Sequence, residues 1–220
     1  MISTINPLEE SGVNDWLFSA ISEELYAKGY SIQHNAVSGE LCNALFMHLQ
    51  QMSDNQFVSA GVGRSQDYNV NEFVRRDQIC WITGNSVPGA AWLNWCQELL
   101  QYLNRNLLLG LFSFESHFAH YAPGAFYKKH LDAFRGQSNR KLSLVLYLNP
   151  GWLPDDGGEL LLYTNEERDV IRVTPAFGTL VTFLSEDFPH EVLPARRDRY
   201  SIAGWFRINS STELRVDPAS

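Results

Sequence analysis

The stretch Tyr121-Ala122-Pro123-Gly124-Ala125-Phe126-Tyr127-Lys128-Lys129-His130-Leu131-Asp132 decides how the rest of the chain is read. A Pro-Gly turn separates two segments rich in β-forming residues, and the second runs into His130 and Asp132, two positions apart. Residues two apart on a strand project from the same face, so this spacing offers half of a metal site. A third ligand is available at His190, in Phe188-Pro189-His190-Glu191-Val192. Two imidazoles and one carboxylate make the facial set that leaves positions open on non-haem Fe(II), although the same ligand types also suit Zn or Mn. Nine residues past His190, Arg199 falls on a further strand pattern, where a guanidinium can grip a carboxylate with two parallel hydrogen bonds. It points to a carboxylate-bearing co-substrate.

Working outward, the chain from residue 111 reads as short β segments at 112–121, 125–131, 141–148, 159–163, 170–173, 179–184, 190–193 and 199–208. Turn signals separate them, notably Asn149-Pro150-Gly151, Asp155-Asp156-Gly157-Gly158 and Pro175 to Gly178. This pattern fits a closed or double-sheet all-β core over 111–208. Residues 1–110 read as helical support plus a loop. A helix begins near Asn14, after an irregular arm at 1–12, and carries Trp16, Leu17, Ile21, Leu25 and Tyr26 to Gly29. A second is capped by Ser38 with Leu41, Leu45, Leu49 and Met52 as its stripe, and a third starts near Pro88 with Trp92, Trp95, Leu99 and Leu103 inward. Residues 57–63 and 78–82 read as strands, and the polar stretch Arg64–Arg75 between them is a candidate lid. His117 and His120, three apart on one strand, face opposite sides; His120 is placed at the flank of the pocket.

With 220 residues, 45% of them hydrophobic, the chain fits one domain with one substantial core, followed by a frayed tail at 209–220. A formal charge of −8 argues against an electrostatic grip on nucleic acid or anionic lipid. A local basic rim of Lys128, Lys129, Arg135, Arg140 and Lys141 is the exception. Cys42, Cys80 and Cys96 are odd in number and unpaired in spacing, so a reducing cytoplasm is expected, with no export signal and no membrane span.

The order His130-x-Asp132, then His190, then Arg199 resembles the 2-oxoglutarate and Fe(II)-dependent dioxygenases, whose fold is a double-stranded β-helix of the jelly-roll or cupin-like kind. Tyr121 with Pro123-Gly124, then Tyr127, resembles the prolyl 4-hydroxylase branch and its hypoxia-inducible-factor-type members. The segment Arg75-Arg76-Asp77-Gln78-Ile79-Cys80-Trp81 is similar to the Arg-Gly-Asp-x-Ile-x-Trp end of their substrate-covering loop, with Arg76 where that segment has glycine. The resemblance implies Fe(II) on His130, Asp132 and His190, and 2-oxoglutarate anchored by Arg199 with Tyr147 and Tyr121. It implies a substrate pocket involving Tyr127, Trp205, Arg140, Arg75 and Asp77. It further implies O2 as co-substrate, succinate and CO2 as products, and ascorbate (vitamin C) as accessory reductant. The substrate implied is a prolyl residue in an exposed loop of a protein, elongation factor Tu for bacterial relatives of this kind. Other peptides, free amino acids or alkylated nucleobases stay open as substrates, and a non-catalytic metal-dependent binding or sensing module is the alternative of a different class. Oligomeric state is not legible in the sequence.

Overall fold

A computed structural model describes residues 7–60, 73–133, 139–164 and 169–209, with residues 7–13 and Asp54 in backbone only. Most of the expected lid (64–72), Arg135 and the tail beyond Asn209 lie outside the described residues.

Helix α1 (Pro7–Lys28) starts at Pro7, not near Asn14, and takes in much of the segment read as an irregular arm. A proline's fixed φ and missing N–H suit the first helical position, a signal the reading passed over. Strand β1 (Tyr30–Gln33) leads to α2 (Gly39–Gln51), whose first turn is capped by Ser38 Oγ accepting the Leu41 N–H at 3.3 Å. The strand expected at 57–63 is, among the described residues, only β2 (Val58–Ser59). Then come β3 (Gln78–Trp81) and α3 (Val87–Leu107), capped by Ser86 and closed by Leu108 in the left-handed region. The β-rich half gives β4 (Leu111–Tyr121), β5 (Tyr127–His130), β6 (Arg140–Tyr147), β7 (Leu160–Tyr163), β8 (Val170–Val173), β9 (Leu180–Leu184), β10 (His190–Val192) and β11 (Arg199–Ile208).

These strands form a seven-stranded sheet in the order β1-β9-β6-β11-β4-β3-β2 and a four-stranded sheet in the order β5-β10-β7-β8. Among the described residues every strand pairing is antiparallel. The mainly β architecture with helical support is that of the jelly-roll expected from the resemblance.

Alternation along the central strands sends their side chains into two separate cores. Phe114 and Phe118 of β4, Leu142, Leu144 and Leu146 of β6, and Ile202 and Phe206 of β11 pack with Leu17, Ile21, Leu45, Trp92, Leu99 and Leu103 of the helices. Truncating one of these, such as the fully buried Leu144, to Ala would cost on the order of 2–5 kcal/mol. The opposite parity, with Ala119, Tyr121, Tyr147, Val181 and Phe183, meets Leu160, Leu162, Val173 and Val192 of the smaller sheet. That second interior, between the sheets, contains the candidate site. Among the described residues no helix is long and apolar enough to cross a membrane.

Candidate active site

Strands β5 and β10 pair antiparallel with His130 opposite His190, so the sheet register alone brings the two imidazoles together, ring centroids 4.2 Å apart. Asp132 lies in a bend just past β5 and has no ladder partner of its own. Its carboxylate is held instead from the larger sheet, where Ser143 Oγ donates to Oδ2 at 2.7 Å and lies 2.8 Å from Ser185 Oγ. One ligand atom from each of His130, Asp132 and His190 falls within 4.8 Å of the others. The imidazole Nε2 atoms each stand 3.7 Å from a carboxylate oxygen, Oδ1 for His130 and Oδ2 for His190.

The tautomers follow from the hydrogen bonds. His130 Nδ1 lies 2.8 Å from the Lys128 carbonyl and His190 Nδ1 lies 3.0 Å from the Phe188 carbonyl. A carbonyl can only accept, so both Nδ1 atoms carry protons and both Nε2 lone pairs are available to a cation. Burial, reinforced by His190, pushes the His130 pKa down to about 3. Burial works against the Asp132 charge, but His190, His130, Arg140 and the Ser143 hydroxyl outweigh it and hold the carboxyl below its usual range. This donor set can hold a six-coordinate divalent metal by one face.

Deeper between the sheets, Arg199 is only 1% exposed. Its Nε donates to the Gly158 carbonyl at 2.8 Å, and its guanidinium centre lies 5.0 Å from the ring centroids of both Tyr121 and Tyr147. Among the described residues no carboxylate pairs with it, an expensive state for a buried cation. Among the described residues the buried Tyr147 hydroxyl beside it makes no well-formed hydrogen bond, and burial raises its pKa to about 12 against the pull of the neighbouring Arg199 guanidinium. A carboxylate placed there would satisfy both groups.

The residues expected around the substrate divide into two clusters. Arg75 grips Asp77 in two hydrogen bonds, Nε to Oδ1 at 2.7 Å and Nη2 to Oδ2 at 2.5 Å, and lies 4.3 Å from the Tyr127 ring. Tyr127 in turn stacks on His130, with centroids 3.5 Å apart and planes 13° from parallel. The segment is docked by backbone bonds, Arg76 N–H to the Phe126 carbonyl at 3.0 Å and Lys128 N–H to the Val74 carbonyl at 2.9 Å. Arg76, where the resembling segment has glycine, does so without a positive φ. In the second cluster Arg140 lies 3.5 Å over the Trp205 ring and bonds Glu115 at 3.0 and 3.2 Å, so it is engaged with a carboxylate and an aromatic face. Lys129, another residue of the expected basic rim, covers the Tyr163 ring at 3.8 Å.

His117, not His120, belongs to this neighbourhood. It is packed between Trp81 and Trp205, with centroids at 5.3 and 5.5 Å, and feels the charges of Asp77, Arg75 and Arg140. His120 faces the other way, stacked on Tyr200 and bonded to Asp198 at 2.7 Å. Sequence reading also missed Trp81, Glu115, Ser143, Ser185 and Gly158 as neighbours of the site. Period-two counting back from Tyr147 would have reached Ser143, and counting back from Tyr121 would have reached His117 and then Glu115.

The family model of the 2OG-Fe(II) oxygenase superfamily matches residues 116–207. Egl nine homolog 1 of Mus musculus is 29% identical over 165 residues, covering 71% of this chain but 39% of that protein, so the chain spans well under half of that curated relative's length. A crystal structure of a Pseudomonas putida prolyl-4-hydroxylase is 39% identical, with TM-score 0.80, covering 88% of this chain and 100% of the other. A Trichoplax adhaerens prolyl hydroxylase in complex with a hypoxia-inducible-factor oxygen-degradation-domain peptide fragment is 27% identical, with TM-score 0.77, covering 93% and 94%.

Proposed function

Since the chain belongs to the 2OG-Fe(II) oxygenase superfamily, we propose that it is a prolyl 4-hydroxylase acting on a proline of a protein substrate, with Fe(II) on His130, Asp132 and His190. The observation that carries the reading is the buried Arg199, which among the described residues pairs with no carboxylate, beside the buried Tyr147 hydroxyl, which makes no well-formed hydrogen bond, in the same interior as the three-ligand cluster. It fits the distal carboxylate of 2-oxoglutarate, where a charge-assisted bond is strong because water is excluded.

When bound, Fe(II) and 2-oxoglutarate supply the O2-dependent oxidation, with succinate and CO2 as the expected co-products. The chain's own residues bind and orient. Arg199 and Tyr147 fix one end of the co-substrate, Tyr121 closes the wall beside Arg199, and Tyr127 keeps the His130 ring in place. Trp205, backed by Arg140, and Trp81 with His117 offer aromatic faces suited to a pyrrolidine ring and an adjoining peptide. A peptide substrate is supported by the similarity to the Trichoplax adhaerens enzyme, which holds a peptide fragment. Elongation factor Tu is the first target to try, with ascorbate as reductant and the cytoplasm as the place of action. The 220 residues work as a single catalytic unit in this reading.

The test is an anaerobic absorption titration with Fe(II) and then 2-oxoglutarate, with His130→Ala alongside. A visible charge-transfer band that needs both additions and the intact histidine is expected. The loaded protein is then incubated in air with elongation factor Tu, and gain of one oxygen atom on a proline is read by mass spectrometry. No band in the unmodified protein would sink the oxygenase reading, and a band without oxygen gain would sink only the proposed target.

A further inference from the structure

Two buried hydroxyls stand behind Asp132. Ser143, on β6, is 1% exposed, and Ser185, one residue past β9, is fully buried. Proton accounting fixes the direction of their bonds. An ionised carboxylate only accepts, so Ser143 spends its single O–H on Asp132 Oδ2, and Ser185 must then donate to Ser143 Oγ. The result is a directed relay, Ser185 to Ser143 to Asp132, in which each bond polarises the next.

The relay connects a strand of the larger sheet to a residue that lies off the ladder of the smaller one. Ser143 stands between Phe183 of β9 and Trp205 of β11 in the ladder of the larger sheet, and the Ser185 N–H is tied to the Lys141 carbonyl at 3.2 Å. Asp132 has left the smaller sheet before its carboxylate is needed. A carboxylate can bind a metal through one oxygen or both, and the second mode would consume a coordination position. Both oxygens face the imidazoles, Oδ1 3.7 Å from His130 Nε2 and Oδ2 3.7 Å from His190 Nε2, but only Oδ2 has a lone pair committed to Ser143.

We propose that Ser143 and Ser185 are positioning residues that hold Asp132 as a one-oxygen ligand and so keep coordination positions free for a co-substrate that binds through two atoms. The identity of that co-substrate rests on the oxygenase reading; the effect on the metal does not.

The experiment loads the full chain with Co(II), whose visible absorption reports coordination number, and compares Ser143→Ala, Ser143→Thr, Ser185→Ala and the double alanine variant. Affinity for Co(II), affinity for 2-oxoglutarate and the thermal midpoint of the metal-free protein are read in parallel. Ser143→Ala is expected to change the intensity of the Co(II) bands and to weaken 2-oxoglutarate binding by about 10–100-fold, the usual reach of outer-shell partners. Threonine keeps the hydroxyl and should keep the spectrum. Ser185→Ala should move the spectrum in the same direction by less, and add nothing to Ser143→Ala, because it acts through Ser143. An unaltered Co(II) spectrum in both single alanine variants, with only the metal-free midpoint lowered, overturns the proposal in favour of a purely structural hydroxyl pair. If the unmodified protein does not bind 2-oxoglutarate, the oxygenase reading fails on its own, and the Co(II) spectra still decide the relay.

Discussion

The Arg199 Nε–H donates to the Gly158 carbonyl at 2.8 Å, and a Cβ placed on residue 158 would stand 3.2 Å from Arg199 Cδ. The buried guanidinium is thus seated on a glycine whose φ is +70°, on the last residue of an Asp-Asp-Gly-Gly turn. Gly158→Ala would place its methyl group 2.8 Å from Ala195 Cβ, a group with no torsion by which to swing away. The left-handed backbone adds roughly 1–2 kcal/mol for a residue with a Cβ. The variant is expected to unfold at lower urea and to bind 2-oxoglutarate several-fold more weakly, since any relief moves the Arg199 stem. Co-substrate binding equal to that of the unmodified protein would show that Gly158 does not set the guanidinium.

Tyr147 and Arg199 should separate stability from binding. Among the described residues the Tyr147 hydroxyl makes no well-formed hydrogen bond, only an approach to the Arg199 guanidinium, and a buried poorly satisfied group costs about 1–3 kcal/mol, so Tyr147→Phe should leave the ligand-free protein as stable or more so. The same variant should lose about tenfold in 2-oxoglutarate affinity, the worth of one bond to a charged group at roughly 1.5 kcal/mol. Arg199→Ala should lose more, about 100-fold, while the Fe(II) affinity of the three ligands stays close to normal. Urea midpoints and anaerobic titrations read both quantities. A Tyr147→Phe protein that is destabilised yet binds normally would remove the tyrosine from the co-substrate site.

The local spacing of the site was readable, but much of what supports it was not. His130, Asp132, His190 and Arg199 carry their chemistry in residue type and order, Tyr147 enters only through the family resemblance, and the structure brings the first three within ligand distance. The facing of β4 was harder, because its burial is nearly continuous: helices cover one face and the smaller sheet the other. Parity therefore separated His117 from His120 without saying which looked inward. Ser185 and Glu115 meet their partners across 42 and 25 residues of chain, through sheet register that no local pattern encodes. Gly158 was legible as a turn residue but not as the acceptor for Arg199, since that contact spans 41 residues.

His117 should make stability fall in mild acid. Burial, with Arg75 and Arg140 also nearby, lowers its pKa to about 4 from an ordinary 6.5, although Asp77 and the Phe118 carbonyl pull the other way. As pH falls the unfolded chain takes up this proton first, so the contribution is fully present above about pH 6.5 and is lost progressively toward pH 4. The shift corresponds to about 3 kcal/mol at most. Urea unfolding at about pH 7.5 and about pH 4.5 should show the unmodified protein losing more stability than His117→Phe, which carries every other titrating group. Equal losses in the two proteins would mean that the ring between Trp81 and Trp205 is readily protonated in place.

The Arg75–Asp77 pair is the remaining point of leverage, because it supports the Tyr127 ring that stacks on His130. The Asp77 side chain is fully buried and that of Arg75 is 12% exposed, so neither charge can turn to water without moving the segment. Burial opposes the Arg75 charge, and the Asp77 bonds more than offset it. Asp77→Ala removes the buried carboxylate that Arg75 grips and is expected to cost about 3–5 kcal/mol, the usual penalty for removing one partner of a buried pair. Being buried, the pair should be screened little, so the deficit should persist at about 1 M salt. Replacing both residues, as Arg75→Met with Asp77→Leu, should recover most of the stability, because the buried ion pair is then exchanged for apolar side chains of similar volume. Thermal midpoints of the two variants settle the matter. If Asp77→Ala melts with the unmodified protein, the ion pair is not what fixes residues 73–77 against the metal strand. If the double replacement fails to recover, the loss lies in packing under Tyr127 and not in charge.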